Sequence, residues 1–203
     1  MLLILYVICI FLVSCQNNKN EDGGCPVSGR EKNTSGRKLS DREIGLNTFK
    51  NKKPESPDAR PVTLSLEDII NAPKHEDETE YTDGQYVKTT GYIVKYEEEG
   101  GESCNCYMAD KSSKTGDVHI YLGLKPDADE KQCIIVEITP AFKKLHPAYE
   151  KSIQPGSKVN IFGFMLYDYM HEKNAINSCR SCGGNVWRKT CWEIHPVTYI
   201  ENI

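Results

Sequence analysis

The chain has 203 residues, of which 38% are hydrophobic and 27% charged, and its formal net charge at pH 7 is −4. Residues 16–60 hold ten Lys and Arg against seven Asp and Glu, whereas residues 61–203 hold fifteen against twenty-two, a net charge of −7. Non-specific binding to nucleic acids depends on Lys and Arg that displace counterions from phosphates. The acidic balance of residues 61–203 therefore disfavours that class of partner.

The chain begins with an unbroken apolar run, Met1–Ser14, that is too short to span a bilayer as a helix. The run leads into Leu12-Val13-Ser14-Cys15, which resembles a bacterial lipobox. The resemblance implies that residues 1–14 are a lipoprotein signal peptide and that acyl chains such as palmitate on Cys15 anchor the protein in membrane lipid. Because Gln16 follows, and not the Asp of many inner-membrane lipoproteins, the resemblance also implies the outer membrane of the cell envelope. The alternatives are an ordinary cleaved signal peptide and a buried N-terminal helix.

Residues 15–60 consist largely of Asn, Lys, Ser, Gly and Pro and contain few bulky apolar side chains. Such a segment buries too little apolar surface to offset the entropy of ordering it, so we predict a disordered tether. A flexible chain of this length reaches roughly 35–40 Å. Cys25 lies in the predicted tether, where we expect it to be unpaired.

Residues 61–80 predict a helical appendage followed by an acidic loop. Apolar residues recur at helical spacing over 64–70, and Ser65 and Pro73 are suited to the two ends of the helix.

Residues 81–203 predict an all-β domain, because β-rich runs are separated by turn residues without alternating helices. Gly91 lies inside the first run and indicates a bulge or a sharp bend, as small barrels need at their corners. One short helical connection, 141–151, precedes the fifth run. We therefore predict a small closed OB-like barrel with one short helix. The six runs are 85–96, 103–109, 117–122, 133–139, 158–167 and 190–200.

Two strings add a resemblance to this reading of the fold. D-x-x-H (Asp168–His171) and W-E-I-H-P-V (Trp192–Val197) resemble a family of bacterial secreted lipoproteins with an OB-like domain. The resemblance covers roughly residues 80–200. It implies the fold and no particular activity, since OB-folds host many functions.

Five polar residues are candidates for metal ligands. His119, Glu137 and His195 each alternate with apolar neighbours on predicted strands, so their side chains face away from the apolar side. Asp168 and His171 follow the fifth run. Histidines with carboxylates are typical ligands of zinc or another transition metal. The alternative, which we rank first, is that these residues make structural hydrogen bonds; convergence of three of them would favour a metal site.

The cysteines of the predicted domain form two close pairs, C-x-C and C-x-x-C. In an OB-fold the loops that carry these pairs lie side by side, so we expect one cluster that forms either disulfides or a zinc site. This expected cluster consists of Cys104, Cys106, Cys179 and Cys182. The other two cysteines of the domain, Cys133 and Cys191, lie inside apolar runs and are expected to be buried small side chains.

Tyr169, Asn174 and Trp187 in the loop between the last two runs are candidates for ligand contact. Together these features predict an envelope-anchored, non-catalytic module that binds a small molecule, a peptide or a glycan. The alternative is a metal-dependent hydrolase of the phosphodiesterase or nuclease type, which would use Glu137 and the three histidines His119, His171 and His195.

Overall fold

The computed structural model describes residues 25–72, 81–99, 102–106, 116–179 and 185–203. The predicted signal peptide, Cys15, Cys182 and most of the acidic loop lie outside the described residues. No helix within the described ranges is long and apolar enough to cross a membrane. The strands are β1 Val62–Thr63, β2 Tyr86–Glu98, β3 Val118–Gly123, β4 Ile134–Ile138, β5 Lys158–Tyr167 and β6 Trp192–Asn202, and the α-helices are α1 Asp41–Lys50, α2 Leu66–Asn71 and α3 Pro140–Leu145.

Strands β2 to β6 close into a barrel. The sheet has the order β1-β2-β3-β4-β6-β5, and β5 also pairs with β2. Strands β4 and β6 run parallel, while the other barrel pairs are antiparallel. A five-stranded closed Greek-key barrel of this order, with a helix between its third and fourth strands, is an OB-fold. The predicted fold class is confirmed.

Strand β2 is bent where it changes partners. Its first half pairs with β5 and its second half with β3, with a register shift between Ile93 and Lys95. Gly91 lies just before the shift, and a Cβ atom there would be 2.5 Å from Leu66 Cδ2 and 2.8 Å from Leu122 Cγ. The absent side chain of Gly91 therefore allows α2 to pack directly against the bend.

Helix α2 confirms the predicted helical appendage. The Ser65 hydroxyl caps its first turn, and Ile69 and Ile70 are buried against the barrel. At the other end, the side-chain amide of Asn177 donates to the carbonyl oxygens of Ile70 and Ala72, at 2.8 and 3.2 Å. One side chain from the loop between β5 and β6 thus accounts for two carbonyl groups at the end of this helix.

The prediction of a disordered tether is wrong for residues 25–60. Helix α1 begins at a capping box in which Ser40 and Glu43 satisfy each other's backbone N–H groups. Cys25, expected to be unpaired, forms a disulfide with Cys106, and the two Cα atoms are 5.8 Å apart. This N-terminal segment is held by a covalent bond and polar contacts and buries few apolar side chains, among them Leu39, so its composition does not reveal that it folds.

The second predicted strand is also wrong, because residues 103–106 form a turn. Cys106 has φ +57°, a left-handed conformation that does not continue a strand. The N-terminal segment docks on this turn: the Arg30 N–H donates to the Ser103 carbonyl at 2.9 Å. Residues 107–109 lie outside the described part of the chain.

We expect Gly91→Ala to lower the free energy of unfolding by about 1–3 kcal/mol, because the new methyl group would collide with Leu66 and Leu122. Chemical denaturation monitored by circular dichroism measures the change. Gly45→Ala is the matched control, since Gly45 lies in α1 with no atom within 4 Å of the added Cβ. The control should be neutral or stabilising. Equal effects of the two substitutions would contradict the proposed packing at Gly91.

Candidate functional site

A buried cluster of charged side chains covers the outer face of β3, β4 and β6. Along β3, Val118 and Ile120 point into the core, while His119 points outward and lies opposite Glu137 of β4. His195 projects from the same face of the neighbouring β6. We call the whole set the outer-face cluster; it consists of Lys50, Glu102, Asp117, His119, Glu137, Asp168, Arg188, Glu193 and His195.

Two of the predicted metal ligands, His119 and His195, contact the carboxylate of a third, Glu137. His119 Nε2 lies 3.2 Å from Glu137 Oε1, and His195 Nδ1 lies 2.9 Å from Glu137 Oε2. The three residues are at most 4% exposed. The alternation of polar and apolar residues therefore places both histidines against Glu137, but on its two different oxygens, and the ligand atoms of His119, Glu137 and His195 do not form a group within 4.8 Å of one another.

The contacts between these groups are short but poorly directed. His119 Nε2, both ring nitrogens of His195 and Glu137 Oε2 make no hydrogen bond of acceptable geometry with any described residue. The distances are those of ion pairs, whereas the N–H directions are not those of hydrogen bonds. We therefore treat the pairs as electrostatic contacts, which depend on distance rather than on alignment.

Lys50 places its ammonium group in the middle of the cluster. Its Nζ lies 2.8 Å from Asp168 Oδ2 and 3.0 Å from Glu102 Oε2. The nearest oxygens of Glu137 and Glu193 are both 3.9 Å away. Burial opposes the charge on Lys50, but the four carboxylates outweigh it and raise the pKa of Lys50 well above its ordinary value.

Two further polar contacts border the ammonium group. Asp168, which is 0% exposed, lies 2.9 Å from Nδ1 of His171 and also accepts from the Met170 N–H. Arg188, likewise 0% exposed, lies 2.8 Å from Glu193 Oε2. The predicted ligands Asp168 and His171 thus form a pair of their own, and Lys50 lies between this pair and Glu137.

Burial and neighbouring charges shift the pKa values of the histidines and carboxylates. Burial lowers the pKa of the imidazoles, but the charge of Glu137, its short polar contacts with both rings and the other nearby carboxylates together outweigh burial and raise the pKa of His119 to about 9 and of His195 to about 10. Burial raises the pKa of Glu137, whereas the positive charges of His195, Lys50 and His119 lower it. The pKa of Glu137 is therefore well below its ordinary value. Asp117 behaves oppositely, since burial and the nearby charge of Glu137 raise its pKa to about 6.

Ligand atoms in this cluster lie close enough together to share a cation. One group comprises Asp117, Glu137 and His195, a second comprises Glu102, His119 and Glu137, and a third comprises Glu102, Cys104 and Asp117; within each, the ligand atoms lie within 4.8 Å of one another. The first two groups share the carboxylate of Glu137. Carboxylate and imidazole groups are the ligands that zinc and other divalent transition metals use in proteins.

The predicted four-cysteine cluster does not form. Cys106 is bonded to Cys25, and Cys104 is a buried free thiol that donates to Glu102 Oε2 at 3.2 Å. Cys179 is in a disulfide whose partner is not among the described cysteines, and Cys182 itself lies outside the described residues. The prediction was wrong because it placed Cys25, the actual partner of Cys106, in a disordered tether. Cys133 and Cys191 are buried free thiols.

An open pocket adjoins the cluster at Trp187. It has a volume of about 320 Å³. The Trp187 ring lies nearly parallel to His119, with ring centroids 6.1 Å apart, and meets Tyr121 edge-on at 6.3 Å. The pocket is therefore aromatic and acidic, since its remaining lining residues are Lys95, Glu97, Glu99 and Glu130.

The other two predicted ligand contacts lie elsewhere or serve another purpose. Tyr169 lines a different cavity, beside α1, where the Arg42 guanidinium lies 3.8 Å from its ring centroid. The Asn174 carbonyl accepts from the Trp187 N–H at 3.1 Å, and its side chain donates to the Asn185 carbonyl at 2.9 Å. Asn174 thus fixes the backbone that carries Trp187.

Sequence reasoning missed several members of the cluster. Asp117 and Glu193 could have been found, because they lie two positions before His119 and His195 and therefore share the face of those histidines. Lys50 carried no such signal, since lysine in a polar segment is normally solvated. Arg188 and Glu102 lie in loops, where no periodicity predicts the direction of a side chain.

No family model matches the chain, and no curated protein matches it. Among solved structures, the asparaginyl-tRNA synthetase of Pyrococcus horikoshii matches 69% of this chain with 14% identity and a TM-score of 0.37. The asparaginyl-tRNA synthetase of Entamoeba histolytica matches 71% with 14% identity and a TM-score of 0.36. The chain spans only 22% and 24% of those two proteins. The fold assignment rests on the strand order, and these likenesses carry no argument about function.

We expect Lys50→Met to lower the free energy of unfolding by about 3 kcal/mol or more, because it leaves buried carboxylates without their shared cation. Urea denaturation under non-reducing conditions measures the loss. Lys53→Met is the matched control, since Lys53 is an exposed lysine three residues further along the chain. If the two substitutions cost the same, the ammonium group of Lys50 does not hold the cluster together.

Proposed function

We propose that this protein is a non-catalytic binding module of the bacterial cell envelope that recognises a neutral glycan in the Trp187 pocket. The observation that carries the proposal is the combination of a half-buried indole ring with acidic side chains in an open cavity. OB-folds bind oligosaccharides and oligonucleotides through the face of their second and third strands and the adjoining loops. The pocket lies at the edge of that face.

The charges of the pocket favour a ligand rich in hydroxyl groups over an anion. Lys95 lies 2.6 Å from Glu97 Oε1 and also pairs with Glu130, so its positive charge is already neutralised. Hydrogen bonding to Lys95, against a smaller effect of burial, lowers the pKa of Glu97, which stays ionised at neutral pH. Ionised carboxylates accept hydrogen bonds from sugar hydroxyls, while they repel phosphates.

The aromatic rings of the pocket are held in place before any ligand arrives. Glu97 Oε2 accepts from the Tyr121 hydroxyl at 3.2 Å, which fixes one wall. Trp187 is placed by the backbone contacts of Asn174 and lies over His119. A rigid indole face supplies a large contact area at low entropic cost.

Trp187→Ala should weaken glycan binding by about tenfold or more, because the indole provides the apolar surface of the pocket. Titration calorimetry against a panel of neutral oligosaccharides measures the effect, with Tyr199→Ala as the control at another exposed aromatic residue. The panel also contains choline as a cationic probe and a short single-stranded DNA as an anionic probe. Failure of the wild type to bind any oligosaccharide, or unchanged binding by Trp187→Ala, would refute the glycan assignment.

We also propose that the module is anchored through an acylated Cys15 in the outer membrane. The lipobox resemblance supports this proposal, and a lipid anchor would keep the module at the envelope surface where glycans are found. Cys15→Ser should move the protein from the membrane fraction to the soluble fraction after cell fractionation. If the variant protein remains with the membranes, the proposed anchor is wrong.

A metal-dependent hydrolase is the second candidate, and the contacts of His119 and His195 with the two oxygens of Glu137 are the observation that favours it. A hydrolytic metal needs an open coordination position for water and substrate. His195 and Glu137 are 0% and 1% exposed, so a phosphodiester could not reach them without displacement of the N-terminal segment. Zinc-dependent hydrolysis of bis(4-nitrophenyl) phosphate by the wild type, lost in His195→Gln, would decide for the enzyme.

A further inference from the structure

The carboxylate of Asp117 lacks the cationic partner that the other carboxylates of the outer-face cluster have. Its side chain is buried, at 2% exposure, and Oδ2 accepts a hydrogen bond from the Asn105 amide at 2.7 Å. Among the described residues, no Lys, Arg or His forms an ion pair with Asp117, whereas Glu102 and Asp168 contact Lys50. A carboxylate at this depth without a cationic partner loses hydration that one hydrogen bond does not replace.

His195 lies beside Asp117 with unused ring nitrogens. The residue is 0% exposed, and neither Nδ1 nor Nε2 makes a hydrogen bond with a described residue. Ligand atoms of Asp117, Glu137 and His195 all lie within 4.8 Å of one another. His195 Nδ1 also lies 3.4 Å from Glu193 Oε1. A buried imidazole that makes no hydrogen bond, close to several carboxylates, is the arrangement of a metal site rather than of an ordinary hydrogen-bond network.

The observed spacing also suits a shared ion. Two ligand atoms bound at about 2.0–2.1 Å to the same ion, at right or tetrahedral angles, are roughly 2.9–3.4 Å apart. His195 Nδ1 lies 2.9 Å from Glu137 Oε2 without hydrogen-bond geometry. The two atoms therefore have the separation of neighbouring metal ligands and lack the direction of a hydrogen bond.

We propose that Asp117, Glu137 and His195 form a buried binding site for one divalent transition-metal ion of the zinc type. The other two groups both contain Glu102 and are not chosen, because the Lys50 ammonium group lies 3.0 Å from Glu102 and already serves as its cation. The ion at the proposed site would tie β4 and β6 to the segment that precedes β3. The proposed site is enclosed, and its role is structural. This proposal does not depend on the glycan proposal for the Trp187 pocket.

The test uses the full chain after the signal peptide, unfolded with chelator under non-reducing conditions and refolded with zinc or cobalt(II). Refolding is needed because the site is closed to solvent in the folded protein. Bound metal per chain is measured by mass spectrometry, and cobalt coordination by its visible absorption bands. The variants are Asp117→Asn and His195→Gln, and the matched control is His146→Gln, which removes an imidazole outside the outer-face cluster.

We expect about one ion per chain for the wild type and His146→Gln, and an affinity lower by more than about tenfold for the other two variants. Asp117→Asn keeps the shape of the side chain, so it decides the question if His195→Gln does not fold. Without metal, Asp117→Asn should be at least as stable as the wild type. Zinc should stabilise the wild type and His146→Gln, but neither Asp117→Asn nor His195→Gln. A wild type that binds no ion, undiminished binding by Asp117→Asn, or loss of binding only in Cys104→Ser would overturn the proposal.

Discussion

The ammonium group of Lys50 is the contact on which the rest of the structure depends. It joins the end of α1 to carboxylates from β4, β6, the turn near residue 102 and the segment after β5. Burying charged groups costs several kcal/mol for each, and a buried network stabilises a fold only when every charge is compensated. The N-terminal segment is therefore a structural part of the domain, because without it the outer face of the barrel would hold uncompensated negative charge.

This arrangement determines which part of the OB-fold remains open to ligands. The outer face of β3 and β4 corresponds to the face through which OB-folds bind ligands. Here the N-terminal segment covers much of that face, fixed by the disulfide between Cys25 and Cys106 and by the Asn51 amide, which donates to the Cys104 carbonyl at 2.9 Å. Trp187 and the acidic pocket remain accessible at its edge. Recognition is therefore expected at one end of the face rather than along its length.

The barrel could be predicted from the sequence because polar and apolar residues alternate along its strands. Alternation placed His119 and Glu137 on the correct face, and the register then set them opposite each other. The N-terminal segment could not be predicted in this way, because a disulfide and single polar contacts hold it. One local signal was nevertheless present, since Ser40 and Glu43 have the spacing of a capping box. The turn at 103–106 resembled a strand because its composition does not show the positive φ of Cys106.

The outer-face cluster contains more carboxylates than permanent cations, and this imbalance parallels the uneven distribution of charge along the sequence. The cluster contains five carboxylates, and Lys50 and Arg188 are its only permanent cations among the described residues. The remaining negative charge must be met by protons on the imidazoles or by a metal ion, and the raised pKa values of His119 and His195 show how strongly this face attracts positive charge. Residues 16–60 carry an excess of Lys and Arg while residues 61–203 carry a net charge of −7. The segment that looked like a solvated tether is the part of the chain that supplies one of the required cations.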